Sequence, residues 1–148
     1  MSKPSTIPYE TTLFVRDHCL CLHAQRAARA LARRFDEALR PFDLTNGQFS
    51  LMMSLNRPEP PDLGSVASVL AMDRTTLTAA LKPLERRGLV RSAADPADKR
   101  RRRLALTEDG RTLLASALPV WERTHAEVDR LFPDSDGGRL RDNLRALS

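Results

Sequence analysis

The fold is decided by residues 72–110, which read MDRTTLTAALKPLERRGLVRSAADPADKRRRRLALTEDG. Asp73 is a favoured helix N-cap, and apolar residues follow it at helical spacing. Gly88 stands where such a helix would need a left-handed terminator. The pattern therefore predicts a helix over about 74–87, although Pro83 removes one backbone hydrogen bond and should kink it.

Two short apolar segments follow this helix, at 89–91 and 104–106, and they predict a pair of strands. The loop between them contains an Asp-Pro turn at 95–96. Nine basic and three acidic side chains lie within residues 82–103, which is more net positive charge than the +5 of the whole chain. The positive field is therefore local, and a polyanion bound to it would release counterions.

Towards the N-terminus the sequence predicts three more helices. Asp62 caps a short helix over about 63–71. Thr45 and Gln48 form a capping box, in which each side chain satisfies a backbone N–H at the start of another helix. Before these comes a long helix over roughly 13–40, since apolar residues recur there at three- and four-residue steps and arginines occupy its other faces.

Towards the C-terminus two helices are predicted after the second strand. Thr107 caps the first of them, and acidic residues occupy its first turn, where the helix dipole favours them. The last helix, over about 135–147, is amphipathic and is expected to bury three side chains, Leu140, Leu144 and Leu147. At the other end of the chain, residues 1–12 are expected to form an arm that is mobile or ordered by a partner.

Two short capped helices joined by a turn at Met72 and Asp73 are typical of a helix-turn-helix. The second helix of that motif enters the major groove of DNA, with its N-terminal residues facing base edges. Arginine makes bidentate contacts with guanine, threonine reaches a phosphate or a thymine methyl, and a lysine further along reaches backbone phosphate. The predicted DNA-contacting residues of this helix are Arg74, Thr75, Thr76, Thr78 and Lys82.

The basic loop over 95–103 has the properties of a wing. Its Asp-Pro turn lifts an arginine away from the body of the domain, where the side chain can enter a narrow minor groove. Two other interpretations stay open at this point. The arginines could form a solvated basic surface, or the winged surface could bind a protein instead of DNA.

From about residue 13 onward the chain resembles the MarR family of bacterial transcriptional regulators. The resemblance rests on the segments MDRTTLT at 72–78, LERRGLV at 84–90, DPADKR at 95–100 and LALT at 104–107, with Gly110. It implies a mainly α fold with a small β-wing, that is, a winged helix-turn-helix with N- and C-terminal dimerisation helices. It implies a single domain over 1–148, with dimerisation helices at 1–40 and 107–148 around a DNA-binding lobe at 43–106.

The resemblance also implies roles for residues of the wing. Asp98 is the acid that orients an arginine, and Arg100 is the arginine that enters the minor groove. Lys99 and Arg101 beside them are expected to serve phosphates or the fold. By the same resemblance the protein is a sequence-specific homodimeric repressor that occupies a palindromic promoter site on double-stranded DNA and is released by a small molecule or an oxidant.

Two alternatives stay open for that release. A small aromatic or anionic effector would sit between the dimerisation helices and the DNA-binding lobe, where His23 and Arg26 could pair with its carboxylate. Alternatively Cys21, which lies 24 residues before Thr45, senses organic peroxide, as a similarly spaced cysteine does in one branch of the family. That branch supports its thiol with tyrosines, whereas the one tyrosine here is Tyr9. Inert packing is the competing interpretation of the cysteines.

Other functional classes have little support. His18, Cys19, Cys21 and His23 resemble metal ligands, but at most two of them share a helix face, so no metal site is expected. We find no sequence pattern of a catalytic triad, paired carboxylates or a glycine-rich phosphate loop, and neither an enzyme nor a cofactor is expected. No apolar run approaches the roughly 20 residues that cross a bilayer, and no signal peptide is evident, which leads us to expect a cytoplasmic protein without a membrane partner.

Overall fold

The computed structural model describes residues 6–134 and 136–148, and the fold is mainly α with a small β-wing, as the sequence predicts. The chain divides after Arg34 into two compact units, which we call the N-terminal and C-terminal units. In chain order the elements are α1 (Tyr9–His18), α2 (Leu20–Leu39), a 3-10 turn (Arg40–Phe42), α3 (Asn46–Ser54), α4 (Leu63–Val69), α5 (Arg74–Arg86), β1 (Val90–Ala94), β2 (Arg102–Leu106), α6 (Glu108–Asp129) and α7 (Gly137–Arg145).

The prediction of one long helix over 13–40 is wrong in two respects. The helical region already begins at Tyr9, and it is interrupted at Cys19, whose backbone is extended. The N–H of Cys19 still donates to the carbonyl of Val15 at 2.9 Å, and its Sγ accepts the N–H of Leu22 at 3.5 Å. Cys19 therefore satisfies backbone groups on both sides of the break. Part of the predicted arm is helical, and residues 1–5 lie outside the described residues.

The core of the C-terminal unit is built from the apolar faces of its helices and of the β-sheet. On α5 the buried side chains are Leu77, Leu81 and Leu84, which recur at helical spacing. α3 contributes three further apolar side chains, and both strands and α6 cover them from other sides. Burial of these side chains provides the main driving force that holds α4 and α5 in place.

Polar side chains fix the starts of α3, α4, α5 and α6, as predicted. The side chains of Asp62, Asp73 and Thr107 each accept a backbone N–H three residues on, at 2.7–3.0 Å. Thr45 and Gln48 form the complete capping box. α5 contains Pro83 and ends at Arg86, two residues before Gly88, which has a φ of +70°. Local chemistry therefore sets the boundaries of the helices that carry the site.

The two strands form an antiparallel hairpin, with Val90 opposite Leu106 at its base and Ala94 opposite Arg102 at its far end. Each strand has five residues, so the hairpin is longer than the predicted segments 89–91 and 104–106. The additional residues are mostly exposed and carry no apolar signal. At the base, a Cβ atom at Gly110 would overlap the carbonyl oxygen of Leu89, so a glycine allows α6 to start directly against the hairpin.

The last helix contradicts the expectation that its three leucines are buried. α7 begins at Gly137, and Leu140, Leu144 and Leu147 are 40%, 48% and 69% exposed. α7 is amphipathic, but these leucines find no cover within the single chain. A further finding concerns all the helices within 6–134 and 136–148: none combines the length and the hydropathy that a bilayer crossing requires.

Candidate nucleic-acid interface

The turn between α4 and α5 fixes the first residues of α5. Ala71 adopts a left-handed conformation with a φ of +52°, and the N–H of Met72 donates to the carbonyl of Ala67 at 2.9 Å. Asp73 then accepts the backbone N–H of Thr76 at 2.7 Å and its hydroxyl at 2.9 Å. These two bonds, the backbone one above all, hold the pKa of Asp73 below its ordinary value. The start of α5 is therefore well anchored.

The predicted DNA-contacting residues of α5 all lie on its exposed side. The hydroxyls of the three threonines are not equally available to a ligand, however. Thr76 donates its hydroxyl proton to Asp73 at 2.9 Å, and Thr78 donates its own to the carbonyl of Arg74 at 2.8 Å. Both threonines still present a methyl group and an acceptor oxygen. Thr75 makes no comparable bond within the described residues, so its hydroxyl can both donate and accept.

The base of the wing is held by an ion pair between the buried carboxylate of Asp95 and the partly exposed side chain of Arg103. Asp95 is 6% exposed, its carboxylate accepts from Nε of Arg103 at 2.9 Å, and Nη2 of Arg103 lies 2.8 Å from the same oxygen. It also accepts the N–H of Ala97 at 2.9 Å. The N–H of Ala97 and the Arg103 guanidinium hold the pKa of Asp95 below its ordinary value, against the opposing effect of burial. This pair was not among the predicted site residues.

The tip of the wing, residues 98–101, is exposed. Asp98 accepts the backbone N–H of Arg100 at 3.0 Å, and its carbonyl accepts the N–H of Arg101 at 2.9 Å. The predicted wing acid thus shapes the backbone on which Arg100 stands, and it does so through a backbone bond. Lys99 and Arg100 extend from this turn, whereas Nη1 of Arg101 lies 4.0 Å from the carboxylate of Asp62.

Several of the other basic residues serve the fold. Arg103 also donates to the carbonyl of Pro60 at 3.1 Å, and Arg102 donates to the hydroxyl of Ser92 at 2.9 Å. At the far end of α5, Arg87 donates to the carbonyls of Asp43 and Phe42 at 2.6 and 3.2 Å. The local positive charge is therefore divided between structural arginines and exposed ones. No sequence signal separates the two groups, because their partners lie far apart in the chain.

α4, the start of α5 and the wing meet around a cleft of about 160 Å³. Four arginines line it, and the carboxylate of Asp62 is the one acidic group beside them. We call it the arginine cleft; its lining residues are Asp62, Leu63, Gly64, Arg74, Arg100, Arg101 and Arg102. The structure therefore brings Arg74 of the helix together with Arg100 and Arg101 of the wing. Thr75, Thr76, Thr78, Lys82 and Lys99 do not line it.

The candidate sensing and effector residues belong to the N-terminal unit and lie on α2. Cys21 is exposed and Cys19 is half-buried. His23 is exposed, and its Nδ1 donates to the carbonyl of Cys19 at 2.8 Å. Arg26 lines a shallow groove with Arg29 and Arg33. Among residues 6–134 and 136–148, no three His, Cys, Asp or Glu side chains converge as metal ligands would.

Comparisons with known proteins agree on one family. The model described as the MarR family matches residues 44–101, which include α3, α4, α5, β1 and the tip of the wing. Transcriptional regulator HosA of Escherichia coli O157:H7 is 39% identical over 100 residues, covering 61% of this chain and 73% of HosA. HosA of Escherichia coli O111:H- is 40% identical over 87 residues, covering 57% of this chain and 63% of that relative.

Solved structures share the fold over most of the chain. The transcriptional regulator MosR of Mycobacterium tuberculosis, in complex with DNA, is 38% identical with a TM-score of 0.80, covering 88% of this chain and 93% of MosR. The transcriptional repressor CouR bound to a 23-mer DNA duplex is 26% identical with a TM-score of 0.81, and the match covers 97% of this chain and 99% of CouR. CouR from Rhodococcus jostii RHA1 bound to p-coumaroyl-CoA is 25% identical with a TM-score of 0.76, and the match covers 88% of this chain and 92% of CouR.

Proposed function

This chain belongs to the MarR family of transcriptional regulators, and from that premise we propose that it regulates transcription by binding double-stranded DNA. α5 enters the major groove, and the tip of the wing enters the adjacent minor groove. Regulation of transcription takes place where the chromosome is, so we propose a cytoplasmic protein.

One observation carries this proposal: the start of α5 and the tip of the wing line the same cleft. A recognition helix and a wing can engage neighbouring grooves of one duplex only when they emerge side by side. Thr75, Thr76, Thr78 and Lys82 stand on the exposed side of α5, and we assign the base edges and nearby phosphates to them. At the wing we assign the minor groove to Arg100, its backbone to Asp98, and phosphates to Lys99 and Arg101.

The experiment that tests the proposal is a footprint of the purified protein on genomic DNA, beginning with the region upstream of its own gene. We expect protection of a palindrome whose half-sites are about one helical turn, roughly 10 base pairs, apart. Uniform weak protection without a preferred site would contradict sequence-specific binding. In that case a protein ligand for the winged surface becomes the better explanation.

We also propose that the protein acts as a homodimer. Large apolar side chains are exposed on the N-terminal unit, including Phe14, Val15 and Leu20, and others are exposed on α7. Apolar surface of this extent is typical of an interface, and a palindromic site requires a reader with two-fold symmetry. Sedimentation equilibrium should give twice the chain mass at micromolar concentration. A single-chain mass at all concentrations would contradict the dimer.

For control of DNA binding we propose a repressor that a small aromatic or anionic effector releases. CouR is a repressor that has been observed both with DNA and with p-coumaroyl-CoA, and this chain covers nearly all of it. Arg26, Arg29 and Arg33 line one exposed groove on α2, which suits an anionic group. The proposed effector is tested by a screen in which aromatic acids and acyl-coenzyme A thioesters are added to the complex of the protein with its footprinted DNA and release of the DNA is measured. An effector that releases wild type and Arg26→Ala equally would exclude this groove.

The redox-sensing alternative is favoured by the exposure of the Cys21 thiol, which leaves it accessible to an oxidant. Under this alternative, an organic peroxide oxidises Cys21 and lowers DNA affinity. Peroxide should then release DNA from wild type and leave the Cys21→Ser variant bound. Equal release of both proteins, or release of neither, would exclude this form of control.

A further inference from the structure

The side chain of Arg74, the first residue of α5, lies against Gly64 of α4. A methyl group placed on Gly64 would lie 2.9 Å from Nη2 of Arg74 and 3.6 Å from its Cζ. The first of these distances is shorter than a normal carbon–nitrogen contact. The guanidinium of Arg74 therefore occupies space that any residue other than glycine would fill. The sequence alone gives no sign of this pairing, because the two residues lie in different helices.

In this position Arg74 is turned towards the wing. Its guanidinium lines the arginine cleft together with the wing residues Arg100 and Arg101. The one carboxylate at the cleft, that of Asp62, is already engaged, since it accepts the N–H of Ser65 at 2.8 Å and lies 4.0 Å from Arg101. The cleft thus has a surplus of positive charge, provided by side chains that bind phosphate oxygens well.

The surroundings indicate which phosphate the cleft can bind. A recognition helix lies in the major groove and a wing lies in the next minor groove. The sugar-phosphate strand that separates two adjacent grooves must pass between these two elements. The arginine cleft lies at that junction, because it is bounded by the start of α5 on one side and by the wing on the other.

We propose that Gly64 is a positioning residue whose missing side chain lets Arg74 turn into the arginine cleft, where Arg74 and Arg101 bind one backbone phosphate of the DNA while Arg100 reaches into the minor groove beside it. The proposal rests on the function proposed above and assigns Arg74 to the backbone instead of to a guanine. Arg74 contacts the ligand directly, whereas Gly64 acts through Arg74.

The substitution Gly64→Ala separates this role from a structural one. The atom that it would crowd is the far end of a flexible side chain, so Arg74 can move away while α4 stays in place. Alanine is also a better helix former than glycine. Thermal stability should therefore be kept or raised while DNA affinity falls. Gly47→Ala is the matched control, because Gly47 is likewise the second residue of a short helix and its methyl would come no closer than 3.9 Å to Thr45.

The test compares wild type with Gly64→Ala, Arg74→Ala, the double variant and Gly47→Ala. Fluorescence anisotropy measures the binding of each protein to two duplexes of about 30 base pairs, which accommodate two half-sites one turn apart. One duplex carries the footprinted site and the other carries the same bases in scrambled order. Each titration is repeated at several salt concentrations, and the melting temperature of each protein is measured.

We expect Gly64→Ala and Arg74→Ala each to weaken binding about tenfold on both duplexes, as for loss of a charge-assisted contact. The slope of log K against log salt should become shallower by about 0.9 per phosphate lost. The double variant should bind like either single variant, and Gly47→Ala like wild type.

Additive losses in the double variant would overturn the link between Gly64 and Arg74. So would a melting temperature that falls in Gly64→Ala and not in Gly47→Ala. A loss in Arg74→Ala that is confined to the footprinted duplex would overturn the phosphate assignment in favour of base reading. If wild type binds neither duplex in a salt-dependent way, the proposed function itself fails, whatever the variants do.

Discussion

The base and the tip of the wing contain the same pair of residue types, an aspartate and an arginine, in two different environments. At the base, Asp95 is buried and forms a hydrogen bond and a close ion pair with Arg103. At the tip, Asp98 is exposed and accepts the backbone N–H of Arg100, which leaves the guanidinium of Arg100 free for a ligand. Burial and pairing, and not residue type, therefore separate an arginine that holds the wing from one that is available to a ligand.

The substitution Arg100→Ala should have the largest effect on function. We expect DNA affinity to fall about 10- to 100-fold, because a minor-groove arginine is lost, while the melting temperature changes by less than about 1 °C. Anisotropy with the footprinted duplex and thermal denaturation measure the two quantities. Arg91→Ala removes the same charge from β1 and is the control. An equal loss in both variants would mean that only net charge matters, and the distinction between tip and base would disappear.

At the base, Arg103→Ala should mainly affect the fold. Its removal leaves the carboxylate of Asp95 buried without its counter-charge and breaks the bond to the carbonyl of Pro60. We expect the melting temperature to fall by roughly 5 °C. Differential scanning calorimetry of Arg103→Ala beside Arg100→Ala measures the contrast. Equal melting temperatures for the two variants would contradict the structural role of the base.

The base should also respond to acid. Because the pKa of Asp95 is lowered in the folded protein, its charged form stabilises the fold at pH values above its ordinary pKa of 3.8. That stabilisation is lost as the pH falls through 3.8 towards the lower folded value. Denaturant titrations at pH 7 and at about pH 3 should show that the stability difference between wild type and Asp95→Asn shrinks on acidification. An unchanged difference would mean that the carboxylate charge contributes nothing.

The smallest expected effect concerns α5. Thr75 keeps its hydroxyl for a ligand, whereas Thr78 donates its hydroxyl proton to the carbonyl of Arg74. Thr75→Val, which keeps the shape and removes the hydroxyl, should therefore change the preference between the footprinted duplex and single-base variants of it by about threefold to tenfold. Thr78→Val should change this preference less. Competition binding measures both, and a larger change in Thr78→Val would reverse the assignment.

Local features of the C-terminal unit could be predicted from the sequence. Asp62, Asp73 and Thr107 cap helices because a short polar side chain satisfies backbone groups within its own turn, and Gly88 adopts its positive φ for an equally local reason. Contacts between distant residues could not be predicted. The pairing of Asp95 with Arg103 depends on the hairpin register, and the contact of Arg74 with Gly64 depends on how two helices pack.

The sequence-based predictions that proved wrong, for the first helical region and for α7, also failed because local periodicity carries no information on tertiary contacts. The apolar periodicity of the first 40 residues continues through Cys19, although the helix breaks there, where Cys19 donates its N–H to Val15 and accepts the N–H of Leu22. In α7 the periodicity marks an apolar face, but it does not say whether this chain or another one covers that face, and the described residues of this chain leave its leucines exposed. Periodicity reports which side of a helix is apolar, and it does not report the partner.

DNA binding through α5 and the wing is tested most directly by the salt dependence of binding to the footprinted duplex. For wild type, a plot of log K against log salt should have a slope of roughly −4 or steeper, as expected for at least four phosphate contacts. The slope for Arg100→Ala should be shallower. A wild-type slope near zero would mean that the arginines of the wing and of α5 neutralise no phosphates, and it would contradict the assignment of this surface to DNA.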